Sequence, residues 1–305
     1  MKYIIICGPT ASGKTGLGVG LALRYNGEVI NADSRQIYKH TTIGTAKPAP
    51  DECGGAKHHL LDFLELDEDF SAYKFAEQAR GLITDITGRG KLPLVVGGTG
   101  LYLKALTEGI FKAPEHDKEY RRELEEISRD KGPKELHEML QEIDPKAAAK
   151  IKPRDAIRLI RALETFKLTG LPISEMQKSG KYTKVGNPLW LGLMFPRKTL
   201  YERINKRVDT MIDEGFEQEV LNLKPYLDII RKKKMIGYMD MITYLFDRSN
   251  TKSEAIDKVK QHHRNYAKRQ MTWFRNVAEI NWIEPLKSGY EEELFKLCDS
   301  YLKKA

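Results

Sequence analysis

Cysteine is scarce. Cys7, Cys53 and Cys298 are the only three in 305 residues, and they are scattered and odd in number. That is too few and too dispersed for a disulfide framework or a zinc ribbon, and a reducing cytoplasm is the expected setting. Long apolar runs are missing too: nothing approaches the roughly 20 residues of a membrane span. The run near the start, Tyr3 to Cys7, is strand length and passes straight into Gly8-Pro9-Thr10, so neither a membrane anchor nor a signal peptide is expected. No internal repeat appears. What is present is a mixed composition, 41% hydrophobic and 31% charged, enough for a real core and incompatible with wholesale disorder. The length fits two domain-sized units, or one core with a large insertion. Lys and Arg number 51 against 43 acids, a net charge of +8. The excess points to a polyanionic partner or to small phosphates, without separating the two.

The first third alternates strand and helix patterns. Tyr3 to Cys7 is a β-branched run, Leu17 to Arg24 is helical, Glu28 to Ala32 is a second strand, and Ile83 to Gly90 leads into Leu92 to Val96. Strand, crossover and strand predict a parallel α/β sheet. From about Pro114 to Gly180 the chain is charged and helix-patterned with no good strand, and Leu189 to Phe195 reads as a strand again. The expected architecture is an α/β core, P-loop NTPase-like, over 1–113 and 185–305, interrupted by a helical insertion over 114–184. The basic run Arg231 to Lys234 reads as a solvated loop.

Residues Gly8-Pro9-Thr10-Ala11-Ser12-Gly13-Lys14-Thr15 fit G-x-x-x-x-G-K-[ST] at every fixed position, between a strand and a helix. Glycines let backbone N–H groups wrap an anion, and a helix N-terminus adds a favourable field. Lys14 supplies a point charge, and Thr15 offers a hydroxyl to a phosphate-bound Mg²⁺. Such a nucleotide-binding loop, commonly an ATP site, says only that a di- or triphosphate is held. An NTPase usually also places an acidic Mg²⁺ partner at the end of an apolar strand. Here Leu94 to Val96 ends in Gly97-Gly98-Thr99-Gly100, and Thr99 cannot replace a carboxylate.

Ligands bind beyond the carboxyl ends of parallel strands. The second strand ends in Asp33-Ser34-Arg35-Gln36, so Asp33 faces the loop as a general base, a helix cap or a Mg²⁺ partner. Arg203 and Arg207 share one helix face beside Ile204, Val208 and Met211, fit either to pin a pyrophosphate or to make a surface ion pair with Glu214. Arg154, Arg158 and Arg161 form a guanidinium row suited to a phosphate backbone or to solvent. His263 to Arg275 interleaves Arg264, Lys268, Arg269 and Arg275 with Tyr266, Trp273 and Phe274. That pattern fits a nucleic-acid surface, with Ala267, Met271 and Phe274 as core on another face.

Taken together, the chain resembles the bacterial tRNA dimethylallyltransferases, or tRNA isopentenyltransferases, through nearly its whole length. Besides the P-loop, the resemblance rests on Asp33-Ser34-Arg35-Gln36-Ile37-Tyr38, Ile43-Gly44-Thr45-Ala46-Lys47-Pro48, His58-His59-Leu60-Leu61-Asp62 and Gly97-Gly98-Thr99-Gly100-Leu101-Tyr102. Arg158-Leu159-Ile160-Arg161-Ala162-Leu163-Glu164, Ile236-Gly237-Tyr238 and Ala267-Lys268-Arg269-Gln270-Met271-Thr272-Trp273-Phe274-Arg275 extend it. The resemblance implies transfer of a dimethylallyl group from dimethylallyl diphosphate to N6 of adenosine 37 in tRNA. It implies a monomer with Mg²⁺ as cofactor, partnered by the anticodon stem-loop and by no membrane. It assigns Asp33 as base, with Thr99 and Arg207 at the reacting centre. The diphosphate falls to Gly8, Thr10, Ala11, Ser12, Gly13, Lys14, Thr15 and Arg203. The tRNA falls to Ser34, Arg35, Gln36, Arg121, Ile157, Arg158, Arg161, Lys268 and Arg269.

The chain departs from the family pattern at Lys39-His40-Thr41-Thr42, at Met239-Asp240 and at His263, where local loop geometry is in question. A prenyltransferase for free adenine nucleotide, a small-molecule kinase and a non-catalytic RNA-binding protein are the competing readings.

Overall fold

A computed structural model describes residues 1–179 and 185–303. Gly180 to Lys184, the expected end of the insertion, lie outside the described residues. The chain divides into Met1–Leu103 with Val185–Ala305, and Lys104–Lys184. The first break falls inside a helix, ten residues before the composition shift at Pro114. That helix begins in the turn that follows the Leu92–Val96 strand of the core, so the chain leaves the core before its charge texture changes.

The larger unit opens with β1 (Ile4–Cys7), α1 (Lys14–Arg24), β2 (Gly27–Asn31), β3 (His58–His59), α2 (Ala72–Gly88) and β4 (Leu92–Val96), followed by α3 (Gly100–Glu108) across the division. The smaller unit carries α4 (Lys118–Asp130), α5 (Pro133–Ile143), α6 (Pro145–Ala148), α7 (Ala156–Thr169) and α8 (Ile173–Ser179). The larger unit resumes with β5 (Leu189–Leu193), α9 (Arg197–Asp213), α10 (Phe216–Asn222), α11 (Leu227–Lys233), α12 (Tyr238–Leu245), α13 (Lys252–Phe274), β6 (Ile280–Ile283) and α14 (Tyr290–Lys303).

The sheet is parallel with strand order β3-β2-β4-β1-β5-β6. Side chains alternate across it. Ile4, Ile6, Val29, Leu94 and Leu191 share one cluster with Leu21 of α1 and Leu294 of α14. Ile5, Ile30 and Val95, of opposite parity, are equally buried, and α2 packs against β2 and β4. A sheet buried on both faces explains its near-continuous aliphatic strands. Two strands escaped the sequence pattern: β3, only two residues long, and the half-buried β6. At the base of β2 the buried Glu28 accepts from Arg89, Lys91 and His59 at 2.5–2.8 Å, and these partners, Arg89 first, hold its carboxyl well below the usual range.

The smaller unit packs Leu124, Leu136, Leu140, Leu159, Ile160 and Leu163 into its own core. Here the guanidinium row is corrected. Arg154 precedes the helix, because α7 begins at Ala156 behind its Asp155 cap. Arg161 turns inward: it donates to Glu164 at 2.7 Å and to the Pro114 carbonyl at 2.8 Å. Glu164 is fully buried and also receives His116 at 2.9 Å, with Arg121 at 3.8 Å. A buried carboxylate needs such partners. Arg158 stays 69% exposed beside Asp155, next to the exposed Ile157. Among the described residues no helix is long and apolar enough to cross a membrane, and all three cysteines are free.

Candidate active site

The segment from Gly8 to Thr15 wraps from the end of β1 into α1. Gly13 sits at φ 90°, a left-handed conformation that glycine tolerates, and leaves the first turn of α1 with no side-chain cap and no acid. The amides there are free to meet an anion. Three cations close around the loop, each held by a neutral oxygen from one of three consecutive residues. Lys14 Nζ donates to the Pro9 carbonyl at 2.7 Å, Arg207 to Thr10 Oγ1 at 3.3 Å, and Arg203 Nε to the Ala11 carbonyl at 2.8 Å. Arg203 also lies over the Phe195 ring. Neutral acceptors orient these charges without cancelling them. Burial first, then the Arg207 charge, pushes Lys14 down to about 8, against the pull of Asp33 and Cys7. Burial likewise lowers Arg207, opposed by Glu52 and Asp33.

These groups line a cavity of about 450 Å³, within the size range of small-ligand sites. Its wall joins Thr10, Ala11, Gly13, Lys14, Thr15, Arg203 and Arg207 to Asp33, Gln36, Gly97 and Gln270. Asp33 stands two residues beyond β2. One of its oxygens accepts from the Arg35 N–H at 2.8 Å and the Gln36 N–H at 3.4 Å, which aims the carboxylate. Thr99 stands beside it, its hydroxyl accepting from the Ser34 N–H at 3.0 Å. Tyr266 adjoins the same corner: burial raises its hydroxyl, reinforced by Asp33 and opposed by Arg35 and the Thr99 hydroxyl. Ser12 is buried with its hydroxyl unpartnered, an orphaned donor inside the loop.

The sequence-predicted residues thus separate. Lys14, Thr15, Arg203, Arg207 and Asp33 share the cavity. Gly8 serves packing, since a Cβ there would stand 3.0 Å from the Leu193 carbonyl. Gln36 lines the cavity but spends its amide on the Thr45 and Ala46 carbonyls, and Arg35 donates to the Lys233 carbonyl at 2.9 Å. Lys268 and Arg269 of α13 are exposed. The departures are absorbed locally. Glu219 accepts from the Thr42, Ile43 and Gly44 amides and from Tyr238 Oη. Asp240 pairs with His262 at 2.8 Å, and the buried His263 bonds the Val259 carbonyl at 2.9 Å. Sequence reasoning missed Glu52, Lys206 and Gln270 in the cavity wall. Only Gln270 carried a signal, its place in the Ala267-to-Arg275 stretch.

Among the described residues no group of three His, Cys, Asp or Glu side chains could hold a metal. The Thr15 hydroxyl in the cavity wall fits Mg²⁺ of the kind that borrows most of its ligands from substrate phosphate and water.

Fold and site define a P-loop α/β protein whose phosphate loop, ringed by cations, shares one cavity with a carboxylate. A profile of the IPP transferase family matches residues 36–277. A tRNA dimethylallyltransferase of Geobacillus thermodenitrificans is 45% identical over 99% of this chain and 98% of its own. The solved tRNA isopentenylpyrophosphate transferase of Bacillus halodurans is 42% identical, covers 99% of this chain and 97% of its own, and superposes with a TM-score of 0.72. A eukaryotic dimethylallyltransferase solved acting on tRNA is 29% identical over 99% of this chain and 79% of its own, with a TM-score of 0.80. The chain belongs to the IPP transferase family.

The depressed Lys14 links binding to pH. A diphosphate restores the lysine proton, so binding takes up a proton wherever free Lys14 is neutral, above about pH 8. Pyrophosphate affinity is expected to show no Lys14 contribution to its pH dependence below that point and to fall toward about tenfold per pH unit above it. Calorimetric titrations of wild type and Lys14→Met across that range check this. Parallel slopes for the two proteins contradict it.

Proposed function

We propose that the protein transfers a dimethylallyl group from dimethylallyl diphosphate to N6 of adenosine 37 in tRNA, releasing pyrophosphate. The observation that carries this reading is the composition of one cavity. Three cations, each bonded to one of the consecutive P-loop residues Pro9, Thr10 and Ala11, share the cavity with an oriented carboxylate. The C1–O bond to diphosphate breaks as the C1–N6 bond forms. The N6 lone pair is delocalised into adenine, so the amine gains nucleophilicity only as a proton leaves, and Asp33 accepts that proton. Charge growing on the departing pyrophosphate meets Lys14, Arg203, Arg207 and the amides of α1. Thr15 would hold Mg²⁺, which supplies further charge neutralisation on the diphosphate when bound. The adenine must leave its stack to enter, at an energetic cost that contacts to the flanking RNA offset. The names of the relatives support tRNA as acceptor. So do the exposed cations Arg158, Lys268 and Arg269, whereas Arg161 and Arg121 act through Glu164 to shape the surface that carries Arg158. The free thiols fit a reducing cytoplasm.

Nucleoside mass spectrometry after incubation with Mg²⁺ and dimethylallyl diphosphate tests this, with an unmodified anticodon stem-loop in one tube and AMP in another. Prenyl mass gain on the stem-loop adenosine alone is expected. Gain on AMP moves the protein to the free-nucleotide reading, and no gain in either, with ATP turnover, moves it to the kinase reading. For Arg158→Ala, weaker stem-loop binding is expected, with the log–log salt slope reduced by about one, the mark of a lost phosphate contact. An unchanged slope returns Arg158 to solvent.

A further inference from the structure

The Gly97-to-Gly100 turn has a physical reading that the chemistry above does not use. A Cβ at Gly97 would overlap the Ala32 backbone, one at Gly98 the Gln270 amide, and one at Gly100 the Trp273 indole. Two of these three glycines therefore make room for α13, whose Gln270 and Trp273 lie on the same helix face one turn apart. Gln270 is 5% exposed. Its Oε1 accepts from the Thr10 N–H at 2.8 Å, and its Nε2 donates to the Gly98 carbonyl at 3.0 Å. The amide orientation is fixed by chemistry, since the reversed form would set donor against donor and acceptor against acceptor.

This one side chain therefore ties the phosphate loop to the turn that presents Thr99. Thr10 is also the residue whose hydroxyl receives Arg207, and Thr99 receives the amide of Ser34, next to Asp33. Resting on the prenyl-transfer reading, we infer that Gln270 is a positioning residue that sets the separation between the bound diphosphate and the Asp33–Thr99 corner, where the acceptor nitrogen must lie. Because the Thr10 amide is committed to Gln270, diphosphate binding falls to the later amides and the cations. Loss of the tether therefore leaves binding largely intact while misplacing the reacting carbon. Misplacement by about 1 Å costs on the order of 100-fold in rate.

The test compares wild type, Gln270→Met and Gln270→Glu in kcat, in KM for both substrates and in pyrophosphate Kd. Gln270→Met is expected to keep Kd within about threefold while kcat falls on the order of 100-fold. In Gln270→Glu a protonated carboxyl restores both bonds, one oxygen accepting from Thr10 and its hydroxyl donating to Gly98. The ratio of its kcat to that of wild type is therefore expected to rise as pH is lowered. A kcat for Gln270→Met within about twofold of wild type, a Kd loss matching the kcat loss, or a flat ratio for Gln270→Glu each overturns the inference. Amide hydrogen exchange at Thr10 reads the tether without any substrate. Exchange is expected to accelerate in Gln270→Met, and unchanged exchange overturns the tether itself. A wild type that transfers no prenyl group, with exchange still accelerated in Gln270→Met, defeats the functional reading and leaves the tether standing.

Discussion

Mutual repulsion among Lys14, Arg203 and Arg207 is the constraint around which the rest is arranged. Each of the three cations on this cavity is hydrogen-bonded to an uncharged oxygen of Pro9, Thr10 or Ala11, and Asp33 and Glu52 partly offset the charge of Arg207. Burial first, and then the Arg207 charge, depresses Lys14. An anion would offset the crowded positive charge, and the uncapped first turn of α1 suits the same ligand. A carboxylate bonded to all three would relax the site and abolish its affinity.

The opposite side of the cavity is built by backbone packing. Asp33 is aimed by the amides of Arg35 and Gln36, and Thr99 by the amide of Ser34. The loop behind them is anchored by Gln36 and by the Glu219 carboxylate, which gathers three consecutive amides. Much of what makes the DSRQIY and IGTAKP stretches recognisable is therefore scaffolding. Lys47, deep in that loop, donates to the Tyr38 carbonyl and pairs with Asp62.

The parallel sheet was legible because strands buried on both faces are continuous aliphatic runs, and the phosphate loop because its fixed positions each have a mechanical reason. Strand β3 left no signal, since two residues carry no periodicity. Arg158 and Arg161 of the smaller unit were legible as helical but not by role. Nothing in the spacing reveals that Glu164 is buried and recruits Arg161 and His116 across chain separations of 3 and 48 residues. Gln270 shows the same limit. Its contacts to Thr10 and Gly98 span 260 and 172 residues, and a glutamine within a helix gives no hint of such a bridge.

In the proposed reaction the two sides of the cavity have different tasks: cations hold the diphosphate, and Asp33 takes the proton. The most direct measurement pairs pyrophosphate titration with single-turnover transfer for Asp33→Ala and Arg207→Ala, both with Mg²⁺ present. Asp33→Ala is predicted to bind pyrophosphate and tRNA as wild type does while losing about 100-fold or more in transfer, the usual worth of a general base. Arg207→Ala is predicted to lose affinity for pyrophosphate. Equal loss of pyrophosphate affinity in both variants, or undiminished transfer by Asp33→Ala, would contradict the division.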